Sequence, residues 1–92
     1  MKAIGYAEYD LGDRDKVSKK NAAIQEERKK FHNRYPKGLS EVYYMDSGKL
    51  FRLYEGTEEQ FANLMQRWVP EMSWHFVSIF TVSDGEEAAK RI

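Results

Sequence analysis

The sequence predicts an α+β fold, one four-stranded antiparallel sheet with two helices on one face. Three observations carry that reading. Apolar spacing alternates between the period of two of a strand and the 3.6 of a helix, in the order β-α-β-β-α-β. The two middle strands are joined by a short Asp-Ser-Gly connection, a hairpin signal. The 92 residues suit one domain, 1–92, with no linker, repeat or low-complexity stretch to divide it.

The opening "MKAIGYAEYD" reads as a strand of Ile, Tyr and small residues that runs into the loop "DLGDRD". A helix is expected from Asp13 to Arg34. Its apolar stripe is thin: Val17, Ile24, Phe31 and Tyr35, which suits one narrow buried edge on an otherwise wet helix. Pro36 disfavours helical geometry at Tyr35, and Gly38 permits a turn. "LSEVYYM" and "KLFRLYE" then form the hairpin. In the next segment Thr57 caps a second helix, Gln60 reaches back to the cap, and Glu58 and Glu59 suit the positive end of the helix dipole. Phe61, Leu64, Met65 and Trp68 share one face of it, and Pro70 stops it. The last strand lies in "EMSWHFVSIFTVSD", residues 71–84. A short C-terminal helix begins near Ser83, with Glu86 completing its capping pattern. Right-handed crossovers turn this order into the ferredoxin-like arrangement.

Hairpin register sets the sheet faces. With Ser47 and Gly48 as a two-residue turn, Met45 pairs with Leu50, Tyr44 with Phe51 and Val42 with Leu53. Val42, Tyr44, Phe51 and Leu53 are then expected beneath the helices. Glu41, Tyr43, Met45, Leu50, Arg52 and Tyr54 fall on the open face. On the first strand Ala3, Gly5 and Ala7 allow close approach of helices, leaving Ile4, Tyr6 and Glu8 outward. On the last, His75, Val77 and Ile79 are assigned outward. Two helices cover one side only, and an uncovered face this apolar and aromatic is large for a monomer. A second copy of the same sheet is its expected cover, which makes the protein a homodimer.

Composition narrows the function. Fifteen basic and fifteen acidic residues cancel, so nothing draws the chain as a whole toward nucleic acid or anionic lipid. "GKLFRLY" fails the aromatic and glycine pattern of RNA-recognition strands, and Glu26 and Glu27 interrupt the basic helix, so nucleic acid is an unlikely partner. The chain has no cysteine, which removes disulfides and thiolate chemistry. No run approaches the ~20 apolar residues of a membrane span. The N-terminal residues lack the pattern of a secretory signal. A cytoplasmic protein is expected. The two histidines, 43 residues apart, make no metal-ligand cluster, and no metal or cofactor is expected.

Arg52 is the leading ligand-binding candidate, because a guanidinium in mid-strand must find a carboxylate, an aromatic face or a ligand anion. Glu8 and Glu41 are its expected internal partners, and a structural Arg–Glu pair is the plainer reading. Tyr6, Tyr43 and Tyr54 can donate hydrogen bonds to a bound carbonyl or phenolate, although interface packing accounts for them equally well. His75 has the titration range of a general base, against a structural role at a strand end. His32, in the last turns of the first helix, reads as solvated.

These residues resemble the dimeric α/β-barrel superfamily, in which two such sheets close face to face. More narrowly, the chain is similar to a family of small uncharacterised prokaryotic proteins of this length. The resemblance rests on "IGYAEY", "GDRD", "PKGLSEVYYMDSGKLFRLYEG", "TEEQFANLMQRW" and "TVSDGEEAAK". It implies a ligand-sized cavity between sheet and helices or between the two sheets. Relatives in the superfamily include cofactor-free and haem-degrading monooxygenases, muconolactone isomerases and binding proteins. The haem-degrading branch uses an Asn on the first strand and a His on the second helix, and this chain has neither. The expected function is binding of a small, partly apolar organic ligand, with a cofactor-independent monooxygenase or isomerase as the alternative.

Overall fold

The structure, a computed structural model, describes residues 1–80; the expected C-terminal helix lies outside them. Strand β1 (Lys2–Glu8) leads through a 3-10 turn (Leu11–Asp13) into helix α1 (Arg14–Lys30). Two short strands, β2 (Lys37–Gly38) and β3 (Tyr43–Tyr44), precede β4 (Lys49–Glu55). Helix α2 (Glu58–Trp68) and strand β5 (Ser73–Ser78) complete the described chain. The strands form one open antiparallel sheet in the order β2-β4-β1-β5, with β3 also paired to β4. Both helices send their buried residues into one cluster. Ile24 comes from α1 and Phe61, Leu64 and Trp68 from α2, packed on Ala3, Ala7, Leu50, Tyr54 and Trp74 of the sheet. The capping box at Thr57 and Gln60 is formed as expected. Met65, expected on the buried face of α2, is exposed.

The hairpin differs from its expected register. Tyr44 pairs with Leu50 and Tyr43 with Phe51, and the Met45 N–H donates to the Lys49 carbonyl at 2.8 Å. The Lys49 N–H also donates to the Asp46 carbonyl at 3.3 Å, so Ser47 and Gly48 are the two central turn residues, as expected, and both adopt the positive φ such a turn requires, 56° and 76°. The register differs because Met45 and Asp46 both bond to Lys49, one extra residue that bulges this side of the hairpin. A slip of one residue moves every side chain of a strand to the other face relative to its partner. Leu50, Arg52 and Tyr54 thus lie on the helix-covered side, and Phe51 and Leu53 on the open side with Ile4 and Tyr6. Tyr43 stacks on Phe51 there, ring centroids 5.1 Å apart. Assigning Phe51 and Leu53 to the core and Leu50, Arg52 and Tyr54 to the open face is overturned. The assignments for β1 hold, as does the outward placement of His75 and Val77, which pair with Tyr6 and Ile4.

The long strand expected before the hairpin is also broken. Gly38 opposes Tyr54 while Tyr43 opposes Phe51, so two extra residues intervene on this side of the ladder. Ser40 fills the gap: its hydroxyl accepts from the Leu53 N–H at 3.0 Å and its carbonyl accepts from Arg52 Nε at 2.8 Å. A side-chain hydroxyl offered to the backbone in this way competes with regular pairing.

Helix α1 ends at Lys30, four residues early. Phe31 leaves helical geometry and stays half exposed, with Arg34 stacked 4.3 Å over its ring. Tyr35 takes the inward place instead. Of α1's own residues only Ile24 is buried, so polar clamps hold the helix. Near its C-terminal end, Arg67 of α2 grips Glu27 through Nε and Nη2, the latter 2.7 Å from Oε2, and Tyr35 donates to Oε1 at 2.7 Å. Nearer its N-terminal end, Lys20 pairs with Glu71 and donates to the Val69 carbonyl at 3.0 Å.

The hydrogen bonds from Arg67 and Tyr35 hold the Glu27 carboxyl down to about 2, against an ordinary value of 4.5. A depressed folded value stabilises above the unfolded one and is lost as pH falls through the folded one. Glu27→Gln is therefore expected to cost about 1 kcal/mol near neutrality, a figure discounted for the solvent around the pair. Urea unfolding curves of wild type and variant should converge between pH 5 and pH 2. A difference that stays constant over that range would assign Glu27 a packing role instead.

Candidate functional site: a cavity beneath the first helix

Helix α1 buries little, and a cavity of about 160 Å³ lies between α1, α2, strands β4 and β5 and the start of β3. Its walls are apolar at the bottom. Leu50, Tyr54 and Trp74 of the sheet meet Ile24, Leu64, Trp68 and Met72, all of them buried. The aromatic rings pack edge to face, Tyr54 against Trp74 at 5.7 Å and against Phe61 at 6.4 Å. Toward the mouth stand Val42 and Tyr44, the latter 73% exposed.

The polar lining comes from two places. On α1, Ser18, Asn21, Gln25 and Arg28 follow at intervals of three and four residues, one row beside the Val17–Ile24 stripe. From β4, Arg52 reaches in beside Tyr54, its guanidinium carbon 5.5 Å from the ring centre. Backbone carbonyls fix both guanidinium groups. Arg28 Nη1 donates to the Pro36 carbonyl at 3.0 Å, and Arg52 Nε to that of Ser40. Burial, and then the charge of Arg52, pull the Arg28 guanidinium below its usual range. Burial raises the Tyr54 hydroxyl, against the pull of Arg52 and Arg28. Among the described residues the lining holds two arginines, no carboxylate and no imidazole.

The structure brings Arg52 and Tyr54 together in this cavity and separates them from the other candidates. Tyr6, Glu8, Tyr43 and His75 lie on the opposite, open face. Glu8 opposes Lys49 and Ser73 there, so the expected Arg52–Glu8 pair does not form. Glu41 is exposed in the broken segment before β3, and Arg52 binds the Ser40 carbonyl rather than a carboxylate. Arg28 and Trp74 escaped the sequence reading. The signal for Arg28 was its place in the polar row of α1, read there as a wet surface.

Among the described residues no group of histidine and carboxylates can hold a metal ion, and no helix is long and apolar enough to cross a membrane. No protein-family model, no curated protein and no solved structure matches this chain, so the chemistry of the cavity carries the functional reading.

Proposed function

We propose that this protein binds a small, partly apolar organic molecule in the cavity between α1 and the sheet. We also propose that two copies associate through their open sheet faces. The carrying observation is the lining itself, a floor of aromatic and aliphatic side chains with a few convergent polar groups, the usual make-up of a small-molecule site. An antiparallel sheet with two helices is compatible with a ferredoxin-like protomer of a dimeric α/β barrel, as the resemblance implies. On the open face Ile4, Phe51 and Leu53 are half buried and Tyr6, Tyr43 and Val77 exposed, an apolar patch that a second sheet would cover. Binding is favoured over catalysis because His75, the candidate general base, faces away from the cavity.

Two measurements test this. Light scattering should return about twice the 10.9 kDa chain mass, independent of salt; a monomer at all concentrations rejects the dimer. Benzyl alcohol, a neutral probe, should shift the amide and indole resonances of Leu64, Trp68 and Trp74 but not those of Leu53 or Val77. Unchanged spectra at saturating probe reject the cavity as a site for a neutral ligand.

A further inference from the structure

We infer that the cavity selects a monocyclic aromatic carboxylate, with its carboxylate set between Arg28 and Arg52 and its ring on the Tyr54–Trp68–Trp74 floor. This rests on the binding reading above and adds the chemical class of the ligand.

The two arginines carry the charge side. Both line one cavity, and among the described residues neither forms an ion pair; the four ion pairs present use other groups. Like charges sharing a partly buried space repel, and desolvation adds to the cost unless an anion or hydrogen-bond acceptors compensate. A guanidinium has five N–H donors, and among the described residues each of these two donates to one backbone carbonyl and lies over one tyrosine ring, Arg28 over Tyr35 and Arg52 over Tyr54, so most of its fork is unspent. Among the described residues Arg28 Nε is buried with no hydrogen-bond partner. A third donor lines the same cavity from the sheet: Trp74 Nε1, on a residue 9% exposed, is likewise buried with no partner among them. Buried donors left unmade are costly, and native proteins rarely carry two around one cavity without reason. A carboxylate offers acceptors on two oxygens and matches the planar guanidinium fork in geometry.

Volume sets the size. An apolar cavity of ~150 Å³ accommodates a benzene ring, and this one measures about 160 Å³. One six-membered ring with one carboxylate fits that volume. The opposing view is that both arginines are structural, satisfied by their carbonyls and by solvent.

The test compares three probes on the full chain by titration calorimetry and by chemical-shift mapping: benzoate, benzyl alcohol and acetate. Benzoate should bind at least about ten-fold more tightly than either of the others, the scale of one charge-assisted contact. It should also move the Trp74 indole N–H resonance downfield. Arg28→Met and Arg52→Met should each abolish the preference for benzoate while leaving benzyl alcohol bound. Arg28→Lys, which keeps the charge and loses the fork, should retain part of it. Equal affinity of the wild type for benzoate and benzyl alcohol overturns the inference while leaving the cavity as a binding site. Equal affinity for acetate and benzoate removes the aromatic component. Absence of binding by benzyl alcohol and benzoate alike rejects the binding reading itself. The wild-type comparisons decide the outcome even where a variant fails to fold.

Discussion

Leu50→Lys is expected to unfold the domain, while Leu53→Lys is expected to leave the protomer folded and break its association. Leu50 is 5% exposed, opposes Ala7 and Tyr44 and forms part of the cavity floor. An ammonium placed there shares the cavity lining with two guanidinium groups and, among the described residues, no carboxylate, so the expected cost is about 4 kcal/mol. That is most of the stability of a small domain. Leu53 lies on the opposite face, opposite Ile4. Its replacement should cost the protomer no more than about 1 kcal/mol, since a lysine stem covers apolar surface while its charge stays in water. In a symmetric dimer the same substitution introduces two like charges into one interface. Urea unfolding and light scattering at matched protein concentrations read both effects. The reverse outcome, with Leu53→Lys unfolded and Leu50→Lys folded, would restore the unbulged register and reject the bulged one.

Leu64→Ala is the second large effect. Leu64 is 1% exposed, near the middle of α2, and it lines the cavity as well as the core. Burial of this kind makes truncation cost about 3 kcal/mol, within the range for leucine in a packed core. For a domain of this size the melting temperature should fall by roughly 15 °C. Because the lost volume adjoins an existing cavity, the enlarged space should bind a bicyclic probe such as indole more tightly than the wild type does. Destabilisation with no gain in indole affinity would show that the walls collapse onto the space. An unchanged melting temperature would contradict the packing of α2 on the sheet.

Much of this architecture was legible from local signals. The capping box, the Phe61–Leu64–Trp68 face and the stop before Pro70 all arise within one or two helical turns. Ala3, Gly5 and Ala7 announced the covered side of β1 because small residues are needed where aromatic rings lie close; a Cβ on Gly5 would come within 2.8 Å of the Phe76 ring. The candidate site was legible only in part. Arg52 and Tyr54 were singled out, but on the wrong side of the sheet and with Glu8 as a false neighbour. Their surroundings depended on the bulge at Met45 and Asp46, which no residue type in Met-Asp-Ser-Gly announces. Phe31 misled in a similar way, since helical spacing alone does not show where the chain must leave the helix so that Tyr35 can turn inward.

The sequence by itself determined the order of elements, the ends of α2 and the facing of β1, because periodicity, caps and breakers act over a few residues. Tertiary structure alone decided the facing of β5, both of whose faces are largely apolar, together with the hairpin register, the break at Ser40 and the space beneath α1. A one-residue slip becomes decisive when one face of the sheet is buried. The burial of Leu50 and Tyr54, with α1 anchored through Glu27–Arg67 and Lys20–Glu71, places Arg28 and Arg52 around one cavity.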